Sequence, residues 1–203
     1  MKTFLYAAYG SNLHPDRLRA ADRCPSAKLI GTCVIAGRLL TFRKRSDDGS
    51  VKCDADRTGQ QSDELRLAVF IIPKSQENAL DRAEGLNKGY NAHQIQVPMG
   101  GKNLIAKIYL ADQNAIVTDT PYEWYKQMVL LGAEYHSFPT SYTESIRNVV
   151  SKPDLDASRS QRKWEEVEQL RAANKRLQWI GGLRRFFSVI ACFLRLCVFR
   201  ARS

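Results

Sequence analysis

The sequence predicts an α+β domain, because several strand-like segments come before the late helices and one helix interrupts the strands. An unbroken apolar run at residues 67–72 predicts a strand that is buried on both faces, while alternation of polar and apolar residues at 93–97 predicts a half-buried strand. This order of elements favours a curved sheet or small mixed β-barrel with flanking helices, followed by a basic amphipathic helical tail.

The individual elements follow from apolar periodicity and from turn residues. Strands are predicted over residues 3–9, 29–35, 39–42, 67–72, 93–97 and 104–110, and helices over 15–21, 75–83, 121–131 and 141–150. Gly85 is expected to end the helix that Ser75 caps, and Gly100-Gly101 to form a hairpin turn. The Asp-, Gly- and Ser-rich stretch 46–63 predicts a surface loop.

The positive charge of the chain is concentrated at its C-terminal end. The net charge is +10, and residues 160–203 hold ten Lys/Arg against three Glu, which accounts for +7 of it. The body is therefore nearly neutral, so the high isoelectric point does not indicate what the body binds.

Cysteine and histidine usage argues against a metal centre and against a disulfide scaffold. The five cysteines form no CxxC pair, and the three histidines lie at no ligand spacing from one another. We therefore expect no metal, no cofactor and a reducing, cytoplasmic compartment. The short apolar run at residues 3–9 fits a first strand better than a signal peptide.

Two segments stand out as candidates for chemistry. In the first, Tyr6-Ala7-Ala8-Tyr9-Gly10-Ser11-Asn12-Leu13, a strand ends in a turn whose backbone N–H groups can hold a carboxylate or an oxyanion. An ordinary β-turn explains the same three turn residues. A pairing of Ser11 with His14 as nucleophile and base is a weaker reading, since no orienting acid is evident.

The second segment runs from residue 80 to residue 90 and contains Leu-Asp-Arg-Ala-Glu-Gly. Leu80 and Glu84 are four residues apart and share a helix face, so Glu84 points inward if Leu80 does. Burial and the C-terminal end of a helix both disfavour an ionised carboxylate, which suits a general acid/base. A solvated Glu84 capped by Gly85 is the alternative, because most glutamates are exposed.

Taken together, Tyr-Gly-Ser-Asn-Leu at residues 9–13 and Leu-Asp-x-x-Glu-Gly at 80–85 resemble the γ-glutamylcyclotransferase family. The resemblance covers about residues 3–150, and the late segment Tyr-Glu-Trp-Tyr-Lys at 122–126 is similar to a helix of that family. It implies a catalytic domain over residues 1–152, a linker over 153–161 and a helical tail over 162–203.

The resemblance also implies the reaction and its residues. A γ-glutamyl compound would cyclise to 5-oxoproline and release an amino acid or amine, with Glu84 as the general acid/base. The substrate would contact Tyr6, Ala7, Ala8, Tyr9, Gly10, Ser11, Asn12, Leu13, Tyr90 and Tyr125. The Gly-Ser-Asn-Leu form is unlike the glutathione-specific and γ-glutamylamine branches. A non-catalytic binding protein of the same fold and a γ-glutamylamine cyclotransferase remain alternatives, and the oligomeric state stays open.

The tail combines an amphipathic helix over 162–180 with an apolar, arginine-bearing segment over 183–203, separated by Gly181-Gly182, which we expect to break the helix. Within the second segment Arg184, Arg185, Arg195 and Arg202 fall within about one quadrant of a helix at 100° per residue, and the remaining face is apolar except for Arg200. The segment is too short and too charged to span a bilayer easily, which favours the surface of an anionic membrane as its partner. Nucleic acid fits less well, because the segment lacks polar aromatic interleaving and its apolar face is large. Packing of residues 183–203 on the body or on a second copy is the alternative.

Overall fold

A computed structural model describes the backbone of residues 2–200 and the side chains of residues 2–179. The strands are β1 (Thr3–Ala8), β2 (Lys28–Ala36), β3 (Arg38–Arg45), β4 (Val51–Arg57), β5 (Glu64–Pro73), β6 (Tyr90–Met99) and β7 (Lys102–Ala111). The helices are α1 (Pro15–Leu18), α2 (Glu77–Glu84), α3 (Glu123–Tyr135), α4 (Thr140–Arg147) and α5 (Ala157–Arg200). Short 3₁₀ turns lie at Ser11–Leu13, Lys74–Gln76 and Gln113–Ala115.

The centre of the molecule is a curled mixed sheet. Its strand order is β2-β5-β1-β7-β6, in which β1 runs antiparallel to β5 and parallel to β7. The edge strands β2 and β6 also contact each other, so the sheet curves towards a barrel. A separate ribbon of β3 and β4 packs beside it. The predicted α+β fold with a curved sheet is confirmed.

The prediction of a surface loop over residues 46–63 is wrong for the middle of this stretch, which forms strand β4. Val51, Cys53 and Ala55 alternate along the strand and are almost fully buried. Their spacing has the two-residue period of a strand. The stretch nevertheless has the composition of a loop, because Lys and Asp residues lie between them and glycines flank them. The missed strand forms one wall of the candidate site described below.

Helix α3 packs directly on the turn that follows β1. At Gly132 there is no room for a side chain, since a Cβ atom there would lie 2.6 Å from Leu13 Cβ and 2.9 Å from the backbone nitrogen of His14. His136, at the end of the same helix, bonds the Leu13 carbonyl oxygen through Nε2 at 2.8 Å. The turn at residues 10–13 is therefore held from behind by the helix.

The first half of α5 belongs to the packed body. Val167 and Leu170 are buried in the same core as α3. Asn174 donates to the Leu131 carbonyl oxygen at 2.9 Å, and its Oδ1 lies 3.2 Å from His14 Nε2. The residues of α5 up to Asn174 are therefore packed on the body, whereas the packing alternative concerned residues 183–203, whose side chains lie outside the described part of the chain.

Helix α5 also differs from the predicted element at both ends. It begins at Ala157, inside the expected linker, because the Asp156 carboxylate accepts hydrogen bonds from the Arg159 backbone N–H and the Ser158 hydroxyl and so caps the helix. Its backbone continues through Gly181-Gly182 without the expected break. The predicted arginine cluster of the tail falls on side chains outside the described residues. In the described part of the chain, no helix has a stretch apolar and long enough to cross a membrane.

Candidate active site

Glu84 is the last residue of α2, and the way this helix ends fixes its position. Gly85 adopts a left-handed conformation with φ of 68°, and its N–H bonds the carbonyl oxygens of the last turn. Leu80, one turn earlier on the same face, is fully buried. The helix therefore turns Glu84 inward, as expected from the sequence. The Glu84 side chain is half-buried at the edge of the core.

Two side chains from the β1 segment hold the Glu84 carboxylate. The Tyr6 hydroxyl donates to Glu84 Oε1, and Asn12 Nδ2 donates to the same oxygen at 2.7 Å. Arg23 in turn contacts Asn12 Oδ1 at 3.4 Å. The second carboxylate oxygen, Oε2, has no hydrogen-bond partner among the described side chains. One oxygen is thus anchored, while the other is available to a ligand.

Tyrosines surround this carboxylate. Tyr9 donates to the Tyr109 carbonyl oxygen at 2.7 Å, Tyr90 donates to the Cys53 carbonyl oxygen, and Tyr125 accepts a hydrogen bond from the Cys53 N–H at 3.1 Å. Burial raises the pKa of the Tyr9, Tyr90 and Tyr125 hydroxyls well above the usual range, and the nearby Glu84 charge adds to the effect. They therefore remain neutral, and β4, which carries Cys53, ties two of them in place.

The Glu84 carboxylate also lies where two connected cavities meet. An outer cleft of about 290 Å³ shares part of its lining, including Glu84 and Tyr90, with a tyrosine chamber of about 30 Å³. The chamber is lined by Tyr6, Tyr9, Gly10, Ser11, Asn12, Cys53, Glu84, Tyr90, Tyr109 and Tyr125. Basic side chains dominate the charged residues of the outer cleft, namely Arg17, Arg23, Lys44, Lys52, Arg82, Lys88 and Lys163, against Asp47, Asp48 and Glu84.

The structure brings most of the sequence-predicted site residues to one place. Glu84, Tyr90 and Tyr125, which are widely separated in sequence, line both cavities together with Ser11 and Asn12. Tyr6, Tyr9 and Gly10 line only the chamber. The exceptions are Ala7, Ala8 and Leu13, which are buried in the core and line neither cavity. Ala7 and Ala8 belong to the hydrophobic core, and Leu13 packs against Gly132 of α3 behind the turn.

Asp81 links helix α2, which carries Glu84, to strand β7. Its Oδ1 accepts hydrogen bonds from the Tyr109 hydroxyl and from Lys107 Nζ, the latter at 2.5 Å. Lys107 also pairs with Glu77 at 3.2 Å, so α2 is fastened to β7 at both of its turns. The aspartate of the Leu-Asp-x-x-Glu-Gly segment therefore positions the helix that carries Glu84.

The pairing of Ser11 with His14 as nucleophile and base is not seen. The His14 ring is fully buried, its Nδ1 accepts the Asp16 N–H at 3.2 Å, and its Nε2 faces Asn174. Burial lowers the pKa of His14, so the ring is neutral and serves the packing of α5. Within the part of the chain that the structure describes, no group of three His, Cys, Asp or Glu side chains could hold a metal ion.

Gly10 lies where the turn passes closest to β4. A Cβ atom there would lie 3.3 Å from Cys53 Cβ and 3.5 Å from the Tyr125 hydroxyl oxygen. Its φ of −101° is open to any residue, so the constraint is space and not backbone conformation. A valine would push the turn away from Cys53 and Tyr125.

Gly10→Val is therefore expected to raise KM about tenfold or more, since the turn would no longer present its N–H groups to the chamber. The accompanying loss of stability should be about 1–3 kcal/mol, as for other overpacked sites. Steady-state kinetics and thermal melting measure the two effects. Gly10→Ala, with one added carbon, should show the smaller change of the same sign. An unchanged KM in a well-folded Gly10→Val protein contradicts a substrate-holding turn.

The fold and the cavity define a mixed α+β protein with an anchored carboxylate beside a tyrosine chamber. Its sequence is similar to that of several named proteins. The model of the AIG2-like family matches residues 65–146, which include Glu84 and Tyr125. Gamma-glutamylcyclotransferase from Mus musculus is 30% identical over 157 residues, which cover 73% of this chain and 79% of the relative. The Homo sapiens protein of the same name is 29% identical over 157 residues, with the same coverage.

The fold agrees with these relatives. A solved structure described as gamma-glutamyl cyclotransferase is 25% identical and superposes with a TM-score of 0.71, covering 83% of this chain and 99% of that chain. The chain therefore belongs to the γ-glutamylcyclotransferase family. This confirms the resemblance carried by the segments at residues 9–13 and 80–85.

Proposed function

We propose that this protein is a γ-glutamylcyclotransferase, which converts a γ-glutamyl compound into 5-oxoproline and a free amino acid or amine. The observation that carries the proposal is the position of Glu84. One oxygen of its carboxylate is anchored by Tyr6 and Asn12, and the carboxylate sits where the chamber meets the outer cleft. The names of the relatives support the same reaction.

In this reaction the substrate's own α-amino group attacks its γ-carbonyl carbon. Glu84 takes a proton from the α-ammonium group, which frees the nitrogen lone pair for attack, and the new C–N bond closes a five-membered ring. The bond to the leaving nitrogen then breaks as Glu84 returns a proton to it. The ring nitrogen loses its second proton as the lactam forms, and the released amine takes up a proton at neutral pH. Because both reacting groups belong to one molecule, holding the substrate folded supplies much of the rate.

The turn at residues 10–12 is suited to hold the negative charge of the substrate. The backbone N–H groups of Ser11 and Asn12 have no acceptor among the described residues, and both residues line the chamber and the outer cleft. Such N–H groups can bind the α-carboxylate or the oxyanion that forms at the γ-carbon. The neutral hydroxyls of Tyr9, Tyr90 and Tyr125 shape the remaining wall without adding charge.

A panel of γ-glutamyl dipeptides, glutathione and γ-glutamylamines tests the proposal, with 5-oxoproline as the product to be measured. Turnover of at least one compound supports it, and the preferred leaving group separates the dipeptide class from the γ-glutamylamine alternative. Binding of these compounds without any 5-oxoproline would instead favour a non-catalytic small-molecule-binding member of the fold.

For the end of the chain we keep the proposal drawn from the sequence, that residues 183–203 bind an anionic membrane surface from the cytoplasmic side. Arginines on one helical face and apolar residues on the other suit the headgroup boundary. Each basic residue near an anionic surface adds about 1 kcal/mol. Nucleic acid fits less well, because the apolar face is large for a solvated basic arm.

The full-length protein is expected to sediment with vesicles containing phosphatidylserine and to be released by high salt, which screens the arginine charges. A chain that ends at Ile180 should stay in the supernatant and keep its activity, since the contacts of α5 with the body lie before that residue. Vesicles of neutral lipid are the control. A full-length protein that ignores anionic vesicles contradicts the membrane proposal.

A further inference from the structure

Lys44 occupies an unusual position for a lysine, because it is buried and has no acidic partner. It is the penultimate residue of β3, and only 6% of its surface is exposed. An irregularity in the β3–β4 ladder between Phe42 and Lys44 places it directly opposite Lys52. Two like charges across a ladder repel each other, so this register is unfavourable unless negative charge lies close by.

Two other largely buried basic side chains of the outer cleft have acidic partners. Arg17 forms an ion pair with Glu166, and Lys52 pairs with Asp48 at 2.6 Å. Lys44 has no ion pair and no hydrogen bond from Nζ to any described residue. Its Nζ lies over the Tyr90 ring, 4.8 Å from the centroid. Burial lowers the pKa of Lys44, with the nearby charges of Asp47 and Asp48 acting in the opposite direction.

The side chain of Lys44 is also held in place. At Gly89, which has a φ of 91°, a Cβ atom would lie only 2.7 Å from Lys44 Cε and 3.3 Å from its Nζ. The glycine therefore makes room for the lysine stem between the loop after α2 and the Tyr90 ring. A lysine confined in this way, with no ion pair or hydrogen bond of its own among the described residues, is a preformed position for an anion.

The location of Lys44 relative to Glu84 indicates which anion it would bind. Lys44 lines the outer cleft and does not line the tyrosine chamber, whereas Glu84 and Tyr90 line both. If the chamber and its turn hold the γ-glutamyl group, the leaving group extends into the outer cleft, towards Lys44. A leaving amino acid carries a carboxylate there, and a leaving amine does not.

We propose that Lys44 is a specificity-determining residue that binds the carboxylate of the leaving amino acid. The inference rests on the proposed cyclotransferase function and narrows its substrate class to γ-glutamyl compounds whose leaving group is itself anionic. It assigns the recognition of one end of the substrate to the β3–β4 ribbon, while α2 and the turn after β1 act on the other end.

The test compares two substrates that differ only in that carboxylate, γ-glutamyl-alanine and γ-glutamyl-ethylamine. For the wild-type protein kcat/KM should favour the alanine compound, and Lys44→Gln should reduce this preference about 10- to 100-fold, the range of one charge-assisted hydrogen bond. The ethylamine compound should be turned over at nearly the same rate by both proteins. Lys44→Met, which keeps an aliphatic stem, repeats the test if Lys44→Gln folds poorly.

Lys88→Gln is the matched control, because Lys88 borders the same cleft but is exposed. This substitution changes the charge of the cleft by the same amount as Lys44→Gln. The preference between the two substrates should stay within about twofold of the wild-type preference, because exposed charges are screened. If Lys44→Gln lowers kcat/KM equally for both substrates, or changes neither, the inference is overturned and the proposed function stands. A wild-type protein that forms 5-oxoproline from no γ-glutamyl compound overturns both.

Discussion

Glu84→Gln is expected to lower kcat by about 10²–10⁴-fold, the contribution typical of a general acid/base. The glutamine has nearly the same shape, and its amide oxygen can still accept the hydrogen bonds from Tyr6 and Asn12. It cannot take a proton from the α-ammonium group, so the chemical step is lost while the cavity remains. The rate of 5-oxoproline formation and the melting temperature, measured on the same preparation, separate the two effects.

Glu77→Gln provides the control on the same helix. It also removes a carboxylate from α2, but Glu77 pairs with Lys74 and Lys107 and lines neither the outer cleft nor the chamber. We expect its kcat to stay near that of the wild type. If Glu84→Gln turned over at close to the wild-type rate, the proposed mechanism would be wrong even though the family assignment would remain.

Removal of helix α5 is expected to have the second large effect, on stability. A chain that ends at Asp156 loses the buried side chains of Val167 and Leu170, worth roughly 3–6 kcal/mol together. It also leaves the Leu131 carbonyl oxygen and His14 without their bonds to Asn174. Since small domains are stable by about 5–15 kcal/mol in total, this chain should melt far lower or fail to fold.

The chain that ends at Ile180 serves as the comparison, because it keeps all of these contacts. Its cooperative unfolding transition should match that of the full-length protein in thermal or urea denaturation. If the chain ending at Asp156 unfolds cooperatively at the same midpoint as the full-length protein, α5 does not stabilise the body. The predicted boundary between a catalytic domain and a separate tail would then hold.

Much of the candidate site was predictable because its residues belong to short segments with strong local signals. Gly-Ser-Asn after an apolar strand predicts a turn, and Gly85 after Glu84 predicts a helix end. The four-residue spacing of Leu80 and Glu84 then predicts that both side chains face the same way. Each signal depends on a few neighbouring residues, so the sequence alone carries it.

The features of the fold and of the site that the sequence did not predict depend on contacts between segments that are distant in the chain. Strand β4 was predicted as a loop because it contains polar residues such as Lys52 and Asp54. In the structure other elements enclose these side chains partly or largely, which the sequence around them does not indicate. The apolar positions of α5 indicated an amphipathic helix but not the surface it covers. Likewise, nothing near Lys44 in the sequence indicates that Gly89 and Tyr90 enclose it.

The most direct test of the central claim is product analysis after incubation of a γ-glutamyl dipeptide with the purified protein in oxygen-18 water. Intramolecular cyclisation uses no water, so the account predicts 5-oxoproline without the heavy isotope and one equivalent of free amino acid. The Glu84→Gln protein, run in parallel, should form little of either product. Glutamate that carries oxygen-18 would show hydrolysis by water, and an absence of any product would show a binding protein; either result contradicts the account.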